Sequence, residues 1–389
     1  MQDLRLETLA VHAGRSPDSG TGAIIPPIHP SVTFERDADG SYPRGFIYTA
    51  KGNPNRMQLE ACLSAIDGGK AAAAFSSGMA AIRSVLEILE PGDHVVVPND
   101  AFAGTLRLMT ERLARRGLQY ALADMTDLAA VEAAMTPRTR MLWVETLSNP
   151  MLRVTDIAQL AELAHRHQAL CACDNTLATP ILVRPLLLGV DLVVHSTTKL
   201  ISGHSDALGG VVVSMSETGP FESVRQAQLL EGSVPSPFDC WLIHRGLSTL
   251  PYRVDAMSDH ALQIATYLER HPAVTRVHYP GLDSHPGHLT ALRLMPKFGA
   301  MLSFEVTDGA SAAKDVAAHV NLFLRATSFG GAQSLIEHRS SSPIQFGLAV
   351  PDSLLRLSIG LEHPDDLISD LDHALAAAIP AVASDVGRG

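Results

Sequence analysis

Short apolar runs alternate with longer amphipathic stretches between about residues 61 and 215. The apolar runs predict strands, which lie at residues 94–98, 141–145, 170–174, 192–195 and 210–213. The stretches between them predict helices, which lie at residues 80–89, 104–116 and 155–167. Strands that alternate with helices are typical of an α/β fold with a mostly parallel central sheet.

The apolar runs are continuous and do not alternate with polar residues. This pattern indicates strands that are covered by helices on both faces of the sheet. In such sheets, ligands bind at the carboxyl ends of the strands. We therefore predict an α/β domain over residues 61–250, with its site at that edge.

The two flanking parts of the chain have different patterns. Residues 1–60 are rich in Gly and Pro, which break helices and strands, yet they also contain many large apolar side chains. This combination predicts an N-terminal arm that packs on another surface, such as a second subunit. Residues 251–389 indicate a smaller C-terminal α+β domain. Its predicted strands lie at 274–279, 301–306 and 354–359, and its predicted helix lies at 367–378.

Composition narrows the classes of function. The chain has 389 residues, of which 46% are apolar and 18% are charged, so it can fill a large core. Its net charge is −11 and it has no basic run, which argues against a nucleic-acid partner. No apolar stretch reaches the roughly 18 residues of a membrane span, and the start of the chain does not resemble a secretion signal. Four cysteines predict no disulfide framework, and no motif predicts a metal site. We expect a cytoplasmic enzyme.

Three features near predicted strand ends could carry chemistry. The first is the turn Ser76-Ser77-Gly78-Met79-Ala80, which precedes a helix and whose N–H groups suit a phosphate. The second is Asp174, which ends a strand. The third is Lys199, which follows a strand and the hydroxyl run Ser196-Thr197-Thr198. In isolation these features are also explained as a helix cap, a turn cap and a surface lysine.

Together, the three features point to pyridoxal phosphate. This cofactor needs a phosphate cradle, an acid beside its pyridinium nitrogen and a lysine that forms a Schiff base with its aldehyde. A partly desolvated lysine has a lowered pKa and can act as a nucleophilic amine. An acid that keeps the ring nitrogen protonated lets the ring withdraw electrons from a neighbouring carbanion. The combination is therefore more specific than any of its parts.

Seven motifs occur in order along the chain. They are Gly52-Asn53-Pro54, Ser77-Gly78-Met79-Ala80, Glu145-Thr146-Leu147-Ser148-Asn149-Pro150, Asp174-Asn175-Thr176, Ser196-Thr197-Thr198-Lys199, Arg245-Gly246-Leu247-Ser248-Thr249-Leu250 and Arg356-Leu357-Ser358-Ile359-Gly360-Leu361-Glu362. With these motifs the chain resembles the Cys/Met-metabolism family of pyridoxal-phosphate enzymes, nearly from end to end. The family includes cystathionine γ-synthase, cystathionine γ-lyase, methionine γ-lyase and O-acylhomoserine sulfhydrylase. The resemblance implies the fold-type I transferase fold and a homotetramer of two catalytic dimers, with active sites at the dimer interface.

The resemblance also implies roles for single residues. Lys199 is expected to carry the cofactor and shuttle protons, and Asp174 to contact the pyridinium. The residues expected to contact the cofactor elsewhere are Gly78, Met79, Ser196 and Thr198 at the phosphate, Tyr48 of a neighbouring subunit also at the phosphate, Asn149 at the ring hydroxyl and Phe102 on the ring face. Arg356, with Ser328 and Asn149 nearby, is expected to bind the substrate carboxylate.

Five positions depart from the family pattern. Ala50 stands where the family usually has an Arg from the partner chain, and Phe102 stands where it has a Tyr. Gly104 stands where methionine γ-lyases often have Cys, and Thr327 where cystathionine enzymes often have Glu. In the segment Glu337-His338-Arg339, arginine replaces the commoner Pro after His. These departures bear on substrate and rate rather than on the cofactor.

The resemblance implies a small amino-acid substrate. We expect a carbon–sulfur γ-lyase that converts L-methionine or L-cystathionine into 2-oxobutyrate, ammonia and a thiol through Lys199. The alternative within the family is a γ-replacement enzyme, either a cystathionine γ-synthase or an O-acylhomoserine sulfhydrylase. An alternative of another class, favoured by Ala50 and Phe102, is a cofactor-binding protein with little catalysis.

Overall fold

The computed structural model describes residues 4–342 and 350–379, which form two sheets and the helices that cover them. The strands of the larger sheet are β1 (Ala71–Phe75), β2 (His94–Pro98), β3 (Gln119–Ala123), β4 (Thr139–Glu145), β5 (Leu170–Asp174), β6 (Leu192–His195) and β7 (Gly210–Ser214). Their order is β1-β7-β6-β5-β4-β2-β3. Strands β3, β2, β4, β5 and β6 pair in parallel, and β7 is antiparallel to both β6 and β1. The prediction of a mostly parallel sheet is therefore confirmed.

Helices cover both faces of this sheet. They are α1 (Leu6–His12), α2 (Pro54–Asp67), α3 (Gly78–Leu86), α4 (Ala103–Leu108), α5 (Leu128–Ala134), α6 (Ile157–Arg166), α7 (Thr179–Leu182), α8 (Pro220–Leu230), α9 (Pro237–Leu247) and α10 (Leu250–Glu269). Successive residues of β2 alternate between two apolar cores, because side chains point to opposite faces along a strand. Val96 belongs to the same apolar core as residues of α2, α6 and α10, whereas Val95 and Val97 belong to the core that includes residues of α3, α4 and α8.

The smaller sheet lies in the C-terminal part of the chain. Its strands are β8 (Val274–His278), β9 (Met301–Val306), β10 (Leu324–Arg325), β11 (Leu335–His338) and β12 (Leu354–Ser358), and its helices are α11 (His288–Leu294), α12 (Gly309–His319) and α13 (Pro364–Ala378). The order is β10-β11-β12-β9-β8, with only the short β10–β11 pair parallel among the described residues. No helix within the two described ranges is long and apolar enough to span a membrane.

The structure departs from the sequence-based expectations in a few elements. The predicted helix over 104–116 is α4 followed by a π-helical turn, Met109–Leu113, and a 3-10 turn, Ala114–Arg116. Strand β1 was not predicted because its run of alanines has little strand propensity. Strand β3 was not predicted because it is a largely exposed edge strand. Helix α2 begins at Pro54, so it runs across the boundary expected at residue 60.

A close backbone contact joins the segment before β11 to the segment after β6. Gly330 has a φ of +83°, and a Cβ atom built on it would lie 2.6 Å from the backbone nitrogen of Leu200. The N–H of Gly330 also donates to Oγ of Ser358 at 2.9 Å. Only a residue without a side chain fits this position, and Leu200 directly follows Lys199.

We predict that Gly330→Ala lowers the free energy of unfolding by about 3–5 kcal/mol, since it adds a clash to the cost of a left-handed backbone. The matched control is Gly92→Ala, because Gly92 has a φ of +97° and nothing within 4 Å of its Cβ position. The control should lose only about 1–2 kcal/mol. Denaturant unfolding measures both variants, and equal losses would contradict the role of the Leu200 contact.

Candidate active site

Three acidic or basic side chains end adjacent strands of the larger sheet. Glu145 is the last residue of β4, Asp174 of β5 and His195 of β6. Glu145 and Asp174 are direct partners in the β4–β5 register, and Asp174 is the partner of Val194 in β6. The carboxyl edge of the sheet therefore gathers titratable groups where sequence reasoning expected the site.

The N-terminus of α3 forms a cradle suited to a phosphate. Oγ of Ser77 caps the helix by accepting from the N–H of Ala80 at 3.1 Å. The N–H groups of Gly78 and Met79 begin the helix and have no preceding turn to bond. A Cβ on Gly78 would lie 2.8 Å from Cβ of Ser196, so the bare backbone of Gly78 packs directly against that serine. Helix dipole, free N–H groups and a hydroxyl thus meet at one point.

The hydroxyl of Thr198, also expected at the phosphate, is engaged elsewhere. Its Oγ1 donates to the carbonyl oxygen of Gly209 at 3.1 Å and accepts from the N–H of the same residue at 3.0 Å. Thr198 therefore fixes the segment before β7. A direct phosphate contact by Thr198 stays a prediction, whereas Ser196 lies against the cradle.

Asp174 is a partly buried carboxylate that makes no ion pair with any residue in the described part of the chain. Oδ1 accepts from the N–H of Thr176 at 2.9 Å. Burial raises the pKa of Asp174, and the hydrogen bond from Thr176 and the charge of His195 oppose this shift. A cationic N–H group placed against Asp174 would supply the missing counter-charge.

Glu145 positions Phe102 at the start of α4. The N–H of Phe102 donates to Oε1 of Glu145 at 2.7 Å. Burial and the neighbouring Asp174 raise the pKa of Glu145 well above its usual range. A Cβ on Gly104 would lie 2.5 Å from Cε1 of Phe102 and 2.7 Å from Sδ of Met79. The Phe102 ring thus lies over Gly104 and next to Met79, and no larger residue fits at position 104 without moving it.

Lys199 reaches from the larger sheet to the segment between β10 and β11. Its Nζ donates to Oγ of Ser328 at 2.7 Å and lies 5.1 Å from the centre of the Phe329 ring. Burial, with a smaller contribution from the charge of Arg356, lowers the pKa of Lys199 to about 8. A larger fraction of the amine is therefore neutral near neutral pH than in an ordinary lysine, which suits a nucleophile.

Arg356 lies on β12 and is only 4% exposed. Its Nη1 donates to Oδ1 of Asn149 at 3.2 Å, and its Nη2 donates to the carbonyl oxygen of Ser328 at 2.9 Å. Nη2 also lies 2.6 Å from Oε2 of Glu337. The structure thus brings together Lys199, Ser328, Asn149 and Arg356, which the sequence places on different segments.

Tyr48 is separate from this group of residues. Its side chain is 48% exposed, and its backbone bridges to Thr33. The buried guanidinium of Arg56 binds the same loop, since it donates to the carbonyl oxygens of Thr49 at 2.9 Å and Ala50 at 3.1 Å. That Tyr48 reaches the site of a neighbouring subunit stays a prediction.

Sequence reasoning missed a buried pair beneath the site. His195 and Asp67 are both fully buried, and Nε2 of His195 lies 2.9 Å from Oδ2 of Asp67. Burial disfavours the imidazolium, but the Asp67 carboxylate outweighs this effect and the pKa of His195 is raised. Asp174 contributes to the same shift. The signal in the sequence was a His directly before Ser196 on an otherwise apolar strand.

These donors fit pyridoxal phosphate. The bare Gly78 backbone at a helix N-terminus suits its phosphate, and the amine of Lys199 suits its aldehyde. Asp174, which has no ion-pair partner among the described residues, suits its ring nitrogen. Phe102 lies beside the cradle where a ring could stack. When bound, the cofactor supplies an electron-withdrawing ring that stabilises a carbanion at the substrate.

Comparison with known proteins decides the family. Residues 7–376 match the Cys/Met metabolism PLP-dependent enzymes. The chain belongs to this family. Its cofactor is therefore pyridoxal phosphate, and its architecture is the fold-type I architecture that the sequence motifs predicted.

Several members of the Cys/Met-metabolism family are similar over almost their whole length. Cystathionine gamma-synthase of Mycobacterium tuberculosis is 48% identical over 373 residues, which is 95% of this chain and 96% of the relative. Cystathionine beta-lyase of Coxiella burnetii is 42% identical, over 95% of this chain and 97% of the relative. The solved structure of metB from Corynebacterium glutamicum has a TM-score of 0.93 at 42% identity, over 96% of this chain and 98% of its own. That of cystathionine gamma-lyase from Lactobacillus plantarum, complexed with L-serine, has a TM-score of 0.91 at 40% identity, over 96% and 99%.

The lowered pKa of Lys199 predicts how the apoprotein captures the cofactor. The neutral amine attacks the aldehyde, so the rate of capture should rise with pH and level off above about pH 8. Arg356→Gln should move the midpoint upward, because it removes a repelling charge. Absorbance changes after mixing apoprotein with pyridoxal phosphate between pH 6.5 and 10 measure the rate, with free N-acetyl-lysine as the control. A rate that keeps rising beyond about pH 10, as for an ordinary lysine, would contradict the prediction.

Proposed function

We propose that this enzyme forms cystathionine by γ-replacement, using an O-acylated homoserine and L-cysteine. The relatives with the higher identity, at 48% and 46%, are named cystathionine gamma-synthase, whereas those named as lyases are 40–42% identical. This corrects the order of the sequence-based expectation, in which a γ-lyase came first and γ-replacement second.

The single observation that carries the proposal is Phe102 beside the cradle. Expelling a thiolate is assisted by a proton donor, because a thiol has a pKa of about 8.5. Phe102 has no hydroxyl to donate that proton, whereas the family usually has a Tyr there. An acyl group leaves as a carboxylate with a pKa of about 4 and needs no proton. The position therefore favours an acylated homoserine over a thioether as the substrate that loses its γ-substituent.

The remaining residues have roles that suit either reaction. Arg356 binds the α-carboxylate of the amino acid, and Asn149, bonded to Arg356, fixes the direction of the guanidinium. Lys199 removes the proton from Cα and returns a proton later in the reaction. The hydroxyl of Ser328 accepts from Nζ of Lys199 at 2.7 Å and so orients the amine between proton transfers.

The packing around Gly104 disfavours a substrate pocket like that of the methionine γ-lyases. Those enzymes often have Cys at this position, but a Cβ here would lie 2.5 Å from the Phe102 ring. A cysteine would therefore displace Phe102 from its place beside Met79. The place of the Phe102 ring therefore requires glycine at position 104. For this reason we propose that methionine is a less favoured substrate than an acylated homoserine.

A second candidate function is cleavage of cystathionine. The similarity to a cystathionine gamma-lyase, with a TM-score of 0.91, favours it. Lys199 could protonate a leaving thiolate, because its pKa of about 8 leaves most of the amine protonated near neutral pH. The two candidates differ in whether the enzyme mainly forms cystathionine or mainly cleaves it.

We also propose assembly through the N-terminal segment. Ile24, Ile25 and Val32 are each more than half exposed in the single chain. Burying such side chains against another subunit is favourable, and it would place Tyr48 near a neighbouring site. The homotetramer implied by the family resemblance is compatible with this surface.

The proposal predicts that the cofactor-loaded enzyme forms cystathionine from L-cysteine and O-succinylhomoserine or O-acetylhomoserine. Chromatography measures cystathionine, and parallel reactions with L-cystathionine or L-methionine alone measure 2-oxobutyrate and pyruvate. We expect synthesis to be at least about tenfold faster than cleavage. Lys199→Ala, the control, should abolish both. Faster cleavage of cystathionine would reject γ-replacement in favour of the second candidate.

A second prediction concerns the missing hydroxyl. Phe102→Tyr should increase release of 2-oxobutyrate from L-cystathionine about tenfold or more, because a positioned acid typically contributes 10²–10⁴-fold. Synthesis from an acylated homoserine should change much less. Phe102→Leu is the control for changes in ring packing. Unchanged or slower cleavage in the tyrosine variant would mean that another group already protonates the leaving thiolate.

A further inference from the structure

The carboxylate of Glu337 lies between two buried arginines. Oε2 of Glu337 lies 2.6 Å from Nη2 of Arg356 and 3.2 Å from Nη1 of Arg339. Arg339 is 4% exposed, and the side chain of Glu337 is 11% exposed. Glu337 and Arg356 are direct partners in the β11–β12 register, so the sheet fixes their separation.

The charges in this cluster set how strongly it attracts a carboxylate. Arg356 and Glu337 alone would form a neutral pair, and a substrate carboxylate would then compete with Glu337 for the same guanidinium. With Arg339 included, two cations and one anion leave one net positive charge. One bound α-carboxylate neutralises that charge.

We propose that Arg339 is a positioning residue that takes up the charge of Glu337 and thereby keeps Arg356 available to the α-carboxylate of the substrate. This inference rests on the carboxylate site at Arg356 in the proposed function. It does not depend on whether the reaction is synthesis or cleavage.

The hydrogen bonding of Arg339 supports this role. Its Nη1 is bonded to Glu337, but its buried Nε has no hydrogen-bond partner within residues 4–342 and 350–379. The contacts of Nη1 with the two oxygens of Glu337, at 3.3 and 3.2 Å, are therefore the ones through which Arg339 can act on Arg356.

The charges of Glu337 and Arg339 both affect the pKa of Arg356. Burial lowers the pKa of Arg356 to about 10; the charge of Glu337 opposes this shift, and the charge of Arg339 adds to it. Lys199 is the further titratable group that senses Arg356. Because Arg339 stands where the family commonly has Pro, this counter-charge is a feature of this chain.

The test uses binding of an unreactive amino acid by the cofactor-loaded enzyme. The dissociation constant of L-alanine follows from the change in cofactor absorbance, and L-alaninamide serves as the matched ligand without a carboxylate. We expect Arg339→Met to weaken L-alanine binding by on the order of tenfold, the loss of one charge-assisted interaction. Arg339→Lys and the double variant Glu337→Gln/Arg339→Met should bind L-alanine nearly as wild type. Binding of L-alaninamide should change little in each variant.

Two results would overturn the proposal. One is L-alanine binding by Arg339→Met that equals wild type. The other is equal weakening in the single and double variants, which would indicate a merely structural role. If the single variant does not fold, the double variant and Arg339→Lys decide, and weak L-alanine binding by both rejects the proposal. Arg356→Gln is the reference: unchanged L-alanine binding there would refute the carboxylate site itself, a failure distinct from that of Arg339.

Discussion

The site depends on charged side chains that have been withdrawn from water and must find counter-charges within the protein. Nε2 of His195 and Oδ2 of Asp67 lie 2.9 Å apart in full burial. Arg356 is satisfied by Glu337 and by the carbonyl oxygen of Ser328. Asp174 has no ion-pair partner within residues 4–342 and 350–379, and burial raises its pKa although the charge of His195 opposes the shift. A cationic ring nitrogen would supply the positive charge that Asp174 lacks, so the charges of the site suit a pyridinium cofactor.

The same constraint joins the two sheets. Lys199 follows β6 of the larger sheet, yet its amine is bonded to Ser328, which precedes β11 of the smaller sheet. Arg356 on β12 is bonded to Asn149, which follows β4. The contact between Gly330 and Leu200 fixes the backbones that carry these groups. Lys199 and Arg356 are therefore held at one separation by packing that neither sheet could provide alone.

The chain keeps the centre of the family site and changes its surroundings. Lys199 and Asp174 are retained, whereas Phe102, Gly104 and Arg339 alter the groups around them. Phe102 has no hydroxyl that could donate a proton, and its N–H donates to Glu145, whose pKa burial raises. Arg339 adds a charge beside Glu337, the carboxylate that also contacts Arg356. In the proposed function, these changes affect which substrate binds and which group leaves.

The sequence by itself determined the strands that are continuous apolar runs, such as β2 and β6, because burial on both faces leaves that pattern in a local window. It also singled out Lys199 and Asp174 as candidate site residues, because Asp174 ends a predicted strand and Lys199 follows one. Only the tertiary structure decided the Asp67–His195 pair, whose members are 128 residues apart, and the sharing of Glu337 between two arginines. The tertiary structure also decided that the hydroxyl of Thr198 hydrogen-bonds to the backbone of Gly209. These pairings depend on which distant segments pack together, and no local pattern of residues records that.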